Sequence, residues 1–291
     1  MTFKKNKKTQ KILLLNLGLI IFVLQLIFAP QVMAGKDSPV QSPARPFGLD
    51  IIAPVQQAAS DKNAAKFYDN YLPKIEQFIN AGLNINTPFE NFSAVELDPS
   101  KIQVVNNVSV EAFFITADTD YHNTLGFNTS GGGVSGGDPW LIFPDASTNV
   151  PYDQVTSTSG TRTVETPLLP GDFVELGSYR NTSLDFFLIA DGANGGTDVY
   201  STQSSINPDV IVHAFAYAIE DSPYLIMGFD GIDTSNGGHK DIIFALDLDK
   251  KNVSDLIVTS SITHAPEPST MLILTSFLGF TAYFKHRKRR R

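Results

Sequence analysis

Three short loops carry the kind of oxygen-bearing side chains that a hard cation binds. They span residues 191–198, 207–209 and 230–238, and each combines Asp or Asn with Gly or Pro. Calcium takes about six to eight oxygen ligands from carboxylates, amides and carbonyls, often on turns. The loops, together with an acidic residue that follows the third of them, predict a set of possible calcium ligands: Asp191, Asn207, Asp209, Asp230, Asp233 and Asp241.

Ordinary turn chemistry is the competing interpretation of these loops. Asp191 and Asp230 are not followed by a carboxylate or amide at every second position, and no glutamate closes either loop, so neither has EF-hand spacing. Asp, Asn and Gly are also the residues that turns use without any metal. Both interpretations stay open, and the sequence makes no cofactor certain.

The Gly-rich segment 128–139 contains two patterns that mark catalytic or nucleotide sites in other settings. Residues 133–137 match G-x-S-x-G, and residues 131–136 match G-x-G-x-x-G. A nucleophile elbow needs a helix directly after the serine, but Asp138 and Pro139 follow at once. A dinucleotide site needs a strand–helix–strand unit, which is missing here. We interpret both matches as chance.

The histidines and the aromatic residues near the Gly-rich segment give no stronger indication of a functional site. No two histidines of the body have metal-ligand spacing, and Asp209 with His213 and a nearby serine lacks any oxyanion stabiliser. We expect these histidines to be hydrogen-bonded to neighbours. Trp140, Tyr121 and Phe127 could form a platform for sugar stacking, with burial in the core as the favoured alternative.

The elements expected to position these residues are mostly strands. From about residue 102 onward, short apolar runs are bounded by Gly, Asn, Asp and Pro clusters. No helical periodicity separates them, which favours an all-β fold, an antiparallel β-sandwich or jelly-roll-like domain over residues 101–260. The predicted strands are 108–117, 140–143, 172–176, 184–190, 210–219, 224–229, 242–248 and 256–259.

A short helical hairpin is predicted before the strands, within residues 60–100. Ser60 or Asp61 can cap a first helix, and Pro73 fits the first turn of a second helix that Gly82 would end. The preceding residues 35–59 are rich in Pro, Ser and Gln, which is typical of an extended linker.

The N-terminus has the pattern of a secretory signal peptide over residues 1–34. Five lysines precede an apolar stretch of residues 12–29, and a small-residue site follows. We expect signal peptidase to cut between Ala34 and Gly35. An uncleaved anchor helix is the alternative, because the apolar stretch has nearly the length of a membrane span.

Residues 265–291 combine three parts in a fixed order. Pro266, Glu267 and Pro268 are followed by an apolar stretch of residues 270–284 and a basic end. This arrangement resembles the PEP-CTERM sorting signal of Gram-negative bacteria, which implies a transmembrane helix and processing by a membrane enzyme, exosortase. Such proteins often accompany exopolysaccharide and biofilm production. An ordinary tail anchor is the alternative.

The body between the two ends is strongly acidic and lacks cysteine. Of the 22 Lys and Arg residues, 11 lie before residue 12 or after residue 284, which leaves 11 against all 30 Asp and Glu. Such a surface repels phosphate backbones, so we expect no nucleic-acid partner. The absence of cysteine excludes disulfides and thiolate metal sites. Stability must therefore come from burial, to which 21 Phe contribute, or from bound ions.

Five strings in the body resemble a secreted bacterial domain of unknown function that occurs in adhesin-like and PEP-CTERM proteins. The resemblance implies a sandwich fold. In that family the last string usually reads G-G-D-x-D-F-N-D, an acidic cluster suited to a divalent cation, whereas this chain has Gly-Gly-His-Lys-Asp at residues 237–241. The strings lie at residues 121–126, 141–147, 184–192, 205–214 and 228–244.

Together these features predict an exported, non-enzymatic surface or extracellular-matrix protein. It would cross the inner membrane, be held there by its C-terminal helix before processing, and then act at the cell envelope in adhesion or exopolysaccharide association. Its processing partners would be signal peptidase and an exosortase-type enzyme, and its binding partners exopolysaccharide or surface proteins. One alternative is a calcium-dependent module that binds carbohydrate or protein. The other is an envelope polysaccharide hydrolase, which needs two carboxylates roughly 5 to 9.5 Å apart.

Overall fold

A computed structural model describes residues 42–86, 92–150, 163, 167–232 and 240–262 of the chain. The expected signal peptide with its Ala34–Gly35 cleavage site lies outside these residues, and so does the sorting segment with Pro266, Glu267 and Pro268. Within the described ranges, no helix has the length and apolar character needed to cross a bilayer.

The described residues form twelve strands and three α-helices. The helices are α1 (Lys62–Asn70), α2 (Leu72–Asn80) and α3 (Asp249–Ser260). The strands are β1 (Ala94–Leu97), β2 (Gln103–Val104), β3 (Val108–Thr116), β4 (Thr124–Asn128), β5 (Trp140–Phe143), β6 (Phe173–Tyr179), β7 (Thr182–Ser183), β8 (Asp185–Ile189), β9 (Val199–Ser201), β10 (Ala214–Ile219), β11 (Tyr224–Asp230) and β12 (Lys240–Asp247).

The strands pair in antiparallel sheets. One sheet has six strands in the order β1-β10-β11-β12-β3-β6, a second has four in the order β5-β4-β8-β9, and β2 pairs with β7. The predicted β-rich class with antiparallel sheets and a short helical hairpin is confirmed.

Alternation along the central strands builds two hydrophobic clusters. On β12, Ile242 and Phe244 belong to a cluster that also contains residues of the four-stranded sheet, whereas Ile243 and Ala245 belong to a cluster shared with the helical hairpin. Because successive side chains point to opposite faces, a continuous apolar strand can serve both clusters at once. The six-stranded sheet is thus covered on both faces at its centre.

The helical hairpin is anchored by aromatic side chains. Phe67 of α1 stacks on Phe113 of β3, with ring centroids 4.2 Å apart, and meets Tyr224 of β11 edge-on. The second helix begins with Leu72 and Pro73, and the chain turns at Gly82 after the helix ends. Pro at this position suits a helix because its missing N–H is not needed in the first turn.

Part of the expected linker packs against the sheets. Ile51 forms a parallel bridge with Leu141, and Gln56 forms an antiparallel bridge with Phe173. Val55, between them, is buried in the larger cluster. Residues 51–56 therefore belong to the folded body.

One predicted strand is wrong and another is shorter than expected. Residues 256–259 lie in α3, where Val253 and Leu256 are buried three residues apart, a helical and not a strand spacing. The strand predicted at 210–219 begins only at Ala214. The prediction also missed β1, β2, β4, β7 and β9.

Asp61 caps α1 and gives a first testable prediction. Its side chain accepts hydrogen bonds from the backbone N–H of Asn63 and of Ala64, both at 2.8 Å. Replacing Asp61 with Ala is expected to lower the free energy of unfolding by about 1 kcal/mol, measured by urea denaturation. Asp61→Asn keeps the acceptor without the charge, so it should be nearly neutral. Equal losses in the two variants would contradict the capping role.

Candidate functional site

Residues from four separate segments, 121–126, 141–147, 184–192 and 228–244, meet around one buried asparagine. Asn123 accepts a hydrogen bond from the backbone N–H of Asp191 at 2.9 Å, and its amide group lies 3.5 Å from the carbonyl oxygen of Asp241. Its own carbonyl accepts from the N–H of Ala146 at 2.8 Å. We call these four residues the Asn123 junction. The junction ties together the loops that precede β4, follow β5 and follow β8, and the start of β12.

A histidine with a buried carboxylate lies next to the Asn123 junction. His122 Nδ1 is 2.9 Å from Asp145 Oδ2, and the Ser147 hydroxyl donates to the other carboxylate oxygen. The serine oxygen is also 3.1 Å from His122 Nδ1. A nucleophilic triad needs the serine on one imidazole nitrogen and the carboxylate on the other. Here both lie on Nδ1, so the group orders the loop instead of activating the serine.

Asp191 is engaged in holding its loop. Its backbone is left-handed, with φ at +49°, and its Oδ1 accepts hydrogen bonds from the backbone N–H of His122 and the side chain of Asn194. These are the bonds of a polar turn. The carboxylate thus fixes the start of a short turn against the segment before β4.

Asn207 and Asp209 hold a second loop. The Asn207 side chain accepts from Ser201 N–H and donates to the Ile211 carbonyl, both at 2.7 Å. Asp209 accepts from the Ile211 N–H at 3.0 Å and pairs with His213 Nε2 at 2.7 Å. The hydrogen bond from Ile211, followed by that from His213, lowers the pKa of the Asp209 carboxyl.

This second loop displays aliphatic side chains to solvent. Val210, Ile211 and Val212 are 68%, 58% and 59% exposed, and Val210 has a left-handed φ of +61°. A β-branched residue rarely adopts that conformation, so the Asn207 and Asp209 bonds must hold it there. Contiguous exposed apolar residues on an ordered loop are typical of a contact surface. We call residues 210–212 the apolar loop.

Three expected calcium ligands remain: Asp230, Asp233 and Asp241. Asp233 lies outside the described part of the chain. Asp230 Oδ2 pairs with Lys240 Nζ at 2.7 Å, and the buried Asp241 accepts the N–H of Ile232 at 2.9 Å. Within the described ranges, no three His, Asp or Glu side chains are placed to hold a metal ion together. The described members of the expected set therefore act mainly as hydrogen-bond acceptors in separate loops.

Sequence reasoning missed a row of carboxylates on the six-stranded sheet. Asp247 on β12 is the cross-strand partner of Glu111 on β3, which is in turn the partner of Glu175 on β6. Tyr224 on β11 is the partner of Asp247 at the other end. We call Asp247, Glu111 and Glu175 the carboxylate row. The one signal in the sequence was Glu111, a charged residue within a mostly buried strand.

The first turn of α1 covers the centre of the carboxylate row. Asn63 Nδ2 donates to Glu111 Oε2 at 2.7 Å and to Asp247 Oδ2 at 3.0 Å, so these oxygens are at most roughly 6 Å apart. The pKa of Glu111 is raised to about 7, mainly by burial and further by the nearby carboxylates of Asp61, Asp247 and Glu175, against the opposing hydrogen bond from Asn63. Burial also raises the pKa of Asp247.

The upper limit of roughly 6 Å is compatible with the carboxylate separation of a glycosidase, but the setting of this pair differs from an active site. A glycosidase places one acid and one base on opposite sides of a bond within an open cleft. Here Asp247 is buried and the amide of Asn63 lies on both carboxylates. The geometry favours a structural role, in which the pair docks α1 on the sheet.

The expected aromatic platform is not formed by all three of its members. Phe127 is buried and stacks on Phe186 inside the larger cluster, with ring centroids 6.2 Å apart. Trp140 and Tyr121 are each more than one-third exposed. Any sugar contact by this region would therefore use Trp140 or Tyr121 alone.

Comparisons with protein-family models, curated proteins and solved structures found no match to this chain.

Proposed function

We propose that this chain is an exported, non-enzymatic protein of the cell surface or extracellular matrix, sorted by its C-terminal segment. The observation that carries the proposal is the arrangement of the two ends. Lysines precede the apolar stretch near the N-terminus, and basic residues follow the apolar stretch after Pro266, Glu267 and Pro268. Positive charge stays on the cytoplasmic side of a membrane, so both ends orient the acidic body outward.

A contact role for the body is supported by the apolar loop. Its side chains are held outward by a network of polar bonds through Asn207 and Asp209, so little conformational entropy is lost when a partner covers them. In adhesion, such a surface would meet another macromolecule outside the cell.

The non-enzymatic part of the proposal is supported by the hydrogen bonds that engage the side chains capable of catalysis. The Ser147 hydroxyl is bonded to Asp145, and the Glu111 and Asp247 carboxylates receive the amide of Asn63. The first bond orders a single loop, and the second set holds α1 on the sheet. We further propose that the two larger sheets form a sandwich, which the hydrophobic cluster that they share supports.

Mass spectrometry of the protein recovered from the producing cells tests the proposal. We expect a chain that begins at Gly35 and ends near Pro266, because the signal peptide and the sorting helix have both been removed. A matched variant, Pro266→Ala with Pro268→Ala, should accumulate with its C-terminal helix still attached in the membrane fraction.

Three results would contradict parts of this proposal. An intact C-terminus embedded in the membrane of cells that produce the unaltered chain would contradict the proposed sorting step. Recovery of the protein from the cytosol with its N-terminal lysines still attached would contradict export. Equal processing of the Pro266 and Pro268 variant would show that the triplet has no role.

A further inference from the structure

Lys240 lies where the chain brings two acidic residues to the adjoining ends of β11 and β12. Its ammonium group is 2.7 Å from Asp230 Oδ2, and these two residues are cross-strand partners next to a register shift. The ammonium also lies 5.5 Å from the ring centroid of Phe215 on β10. A cation over an aromatic face gains further electrostatic attraction, so the lysine is held from two sides.

The Asp230 carboxylate needs a positive charge at this position. Its backbone N–H donates to the carbonyl of His213 at 2.9 Å, which fixes the residue on the sheet. Its Oδ1 is buried and has no hydrogen-bond partner among the described residues. A carboxylate with a buried, unbonded oxygen is costly unless a nearby cation compensates the charge.

A second carboxylate ties the neighbouring turn to the strand. Asp241 follows Lys240 directly, is fully buried, and accepts the N–H of Ile232 from the turn after Asp230. The turn at residues 231–232 is thus linked to the start of β12 independently of Lys240.

These residues do not fit a bound divalent cation while Lys240 is present. Calcium needs about six to eight oxygens at roughly 2.3 to 2.6 Å, and an ammonium group at hydrogen-bonding distance from the main carboxylate occupies that space and repels a second cation. The sequence expectation of calcium at Asp230 therefore conflicts with the position of Lys240.

We propose that Lys240 is a built-in cation, whose ammonium group takes the place of a divalent metal ion in neutralising Asp230 and holding the β11–β12 ends together. The adjoining ends of β11 and β12 are therefore held together without calcium. Removal of the ammonium opens a site for a divalent cation, with Asp230 as its first carboxylate ligand.

The test measures the melting temperature of the full chain in mild detergent, in millimolar calcium chloride and in chelator. The unaltered protein is expected to melt at the same temperature in both. Lys240→Asp adds a carboxylate in place of the ammonium, so it should melt several degrees lower in chelator and recover with calcium, since a ligand that binds only the folded state raises stability.

Two further variants distinguish the proposed calcium effect at Lys240 from the effect of losing a positive charge elsewhere. Lys250→Asp makes the same change in the exposed pair of Lys250 with Asp221, 3.0 Å apart, and should leave the melting temperature insensitive to calcium. Lys240→Arg keeps the positive charge and should behave as the unaltered protein does.

Each remaining outcome decides the question. A melting temperature of the unaltered chain that rises with calcium would overturn the proposal, and so would a Lys240→Asp variant that ignores calcium. If Lys240→Asp does not fold in chelator, refolding in calcium supports the proposal, and failure in both conditions contradicts it.

Discussion

Replacing Asn123 with leucine is expected to lower the free energy of unfolding by about 2 to 4 kcal/mol. Leucine has a similar volume but offers neither an acceptor to the Asp191 N–H nor a donor to the Asp241 carbonyl. Each polar group left buried without a partner costs about 1 to 3 kcal/mol. The bond to Asp191 is the shorter of the two and should account for most of the loss.

Urea denaturation of the variant measures this loss, and hydrogen exchange localises it. The amide of Asp191 should exchange faster in Asn123→Leu, whereas amides in α1 should change less. Asn70→Leu is the matched control, because Asn70 is exposed and donates only to the Lys66 carbonyl of its own helix. The control should cost less than about 0.5 kcal/mol. A loss in Asn123→Leu no larger than that would show that the Asn123 junction does not stabilise the fold.

Most of the strands that could be predicted contain a continuous run of apolar residues. On β3 and β12, nearly every residue is buried, so the run of apolar side chains is a local signal that does not depend on the partner strand. The helix α3 was mistaken for a strand because residues 256–259 are a short apolar run. The first half of this helix has one apolar residue, Val253, and buries the polar Asn252, so its apolar helical pattern is incomplete.

The strand β4 illustrates a signal that sequence reasoning could not interpret. Gly126 lies at its centre, and glycine weakens a strand pattern. In the structure a Cβ atom at Gly126 would lie 2.3 Å from the Phe187 ring, so the strand needs glycine there. That requirement comes from β8, about sixty residues later in the chain, and no local pattern contains it.

Some of the candidate sites could likewise be found from the sequence, and one could not. The loops with Asp191, Asn207, Asp209 and Asp230 could be found from composition, but their side chains turned out to bond to nearby backbone or to Lys240. Asp and Asn side chains satisfy turn amides as readily as they bind cations, so residue type alone does not separate the roles. The carboxylate row could not be found, because it depends on the register between three strands.

The carboxylate row gives the second large effect, a dependence of stability on pH. The pKa of Glu111 is about 7 in the folded chain, against 4.5 for the unperturbed group, because burial disfavours its charged form. The folded state therefore holds this proton more tightly than the unfolded state. The resulting stability is fully present below about pH 4.5 and is lost as the pH rises towards 7, and Asp247 acts in the same direction.

Glu111→Gln should remove the contribution of this residue. The amide of glutamine still offers an oxygen to Asn63 but stays neutral, so the variant should match the unaltered protein near pH 4. It should melt higher above pH 7, with the gap opening between pH 4.5 and 7. Melting temperatures at half-unit pH intervals measure the gap directly, and other titrating groups cancel because both proteins contain them.

Glu220→Gln is the matched control, since Glu220 is exposed in the turn after β10 and changes the net charge equally. Its melting temperature should follow the unaltered protein at every pH. If Glu111→Gln melts lower than the unaltered protein at pH 8, the ionised carboxylate stabilises the docking of α1, and the expected stabilisation by the Glu111 proton is wrong. If the gap opens as expected, the stability of the sheet face under α1 depends on one proton held between β3 and β12.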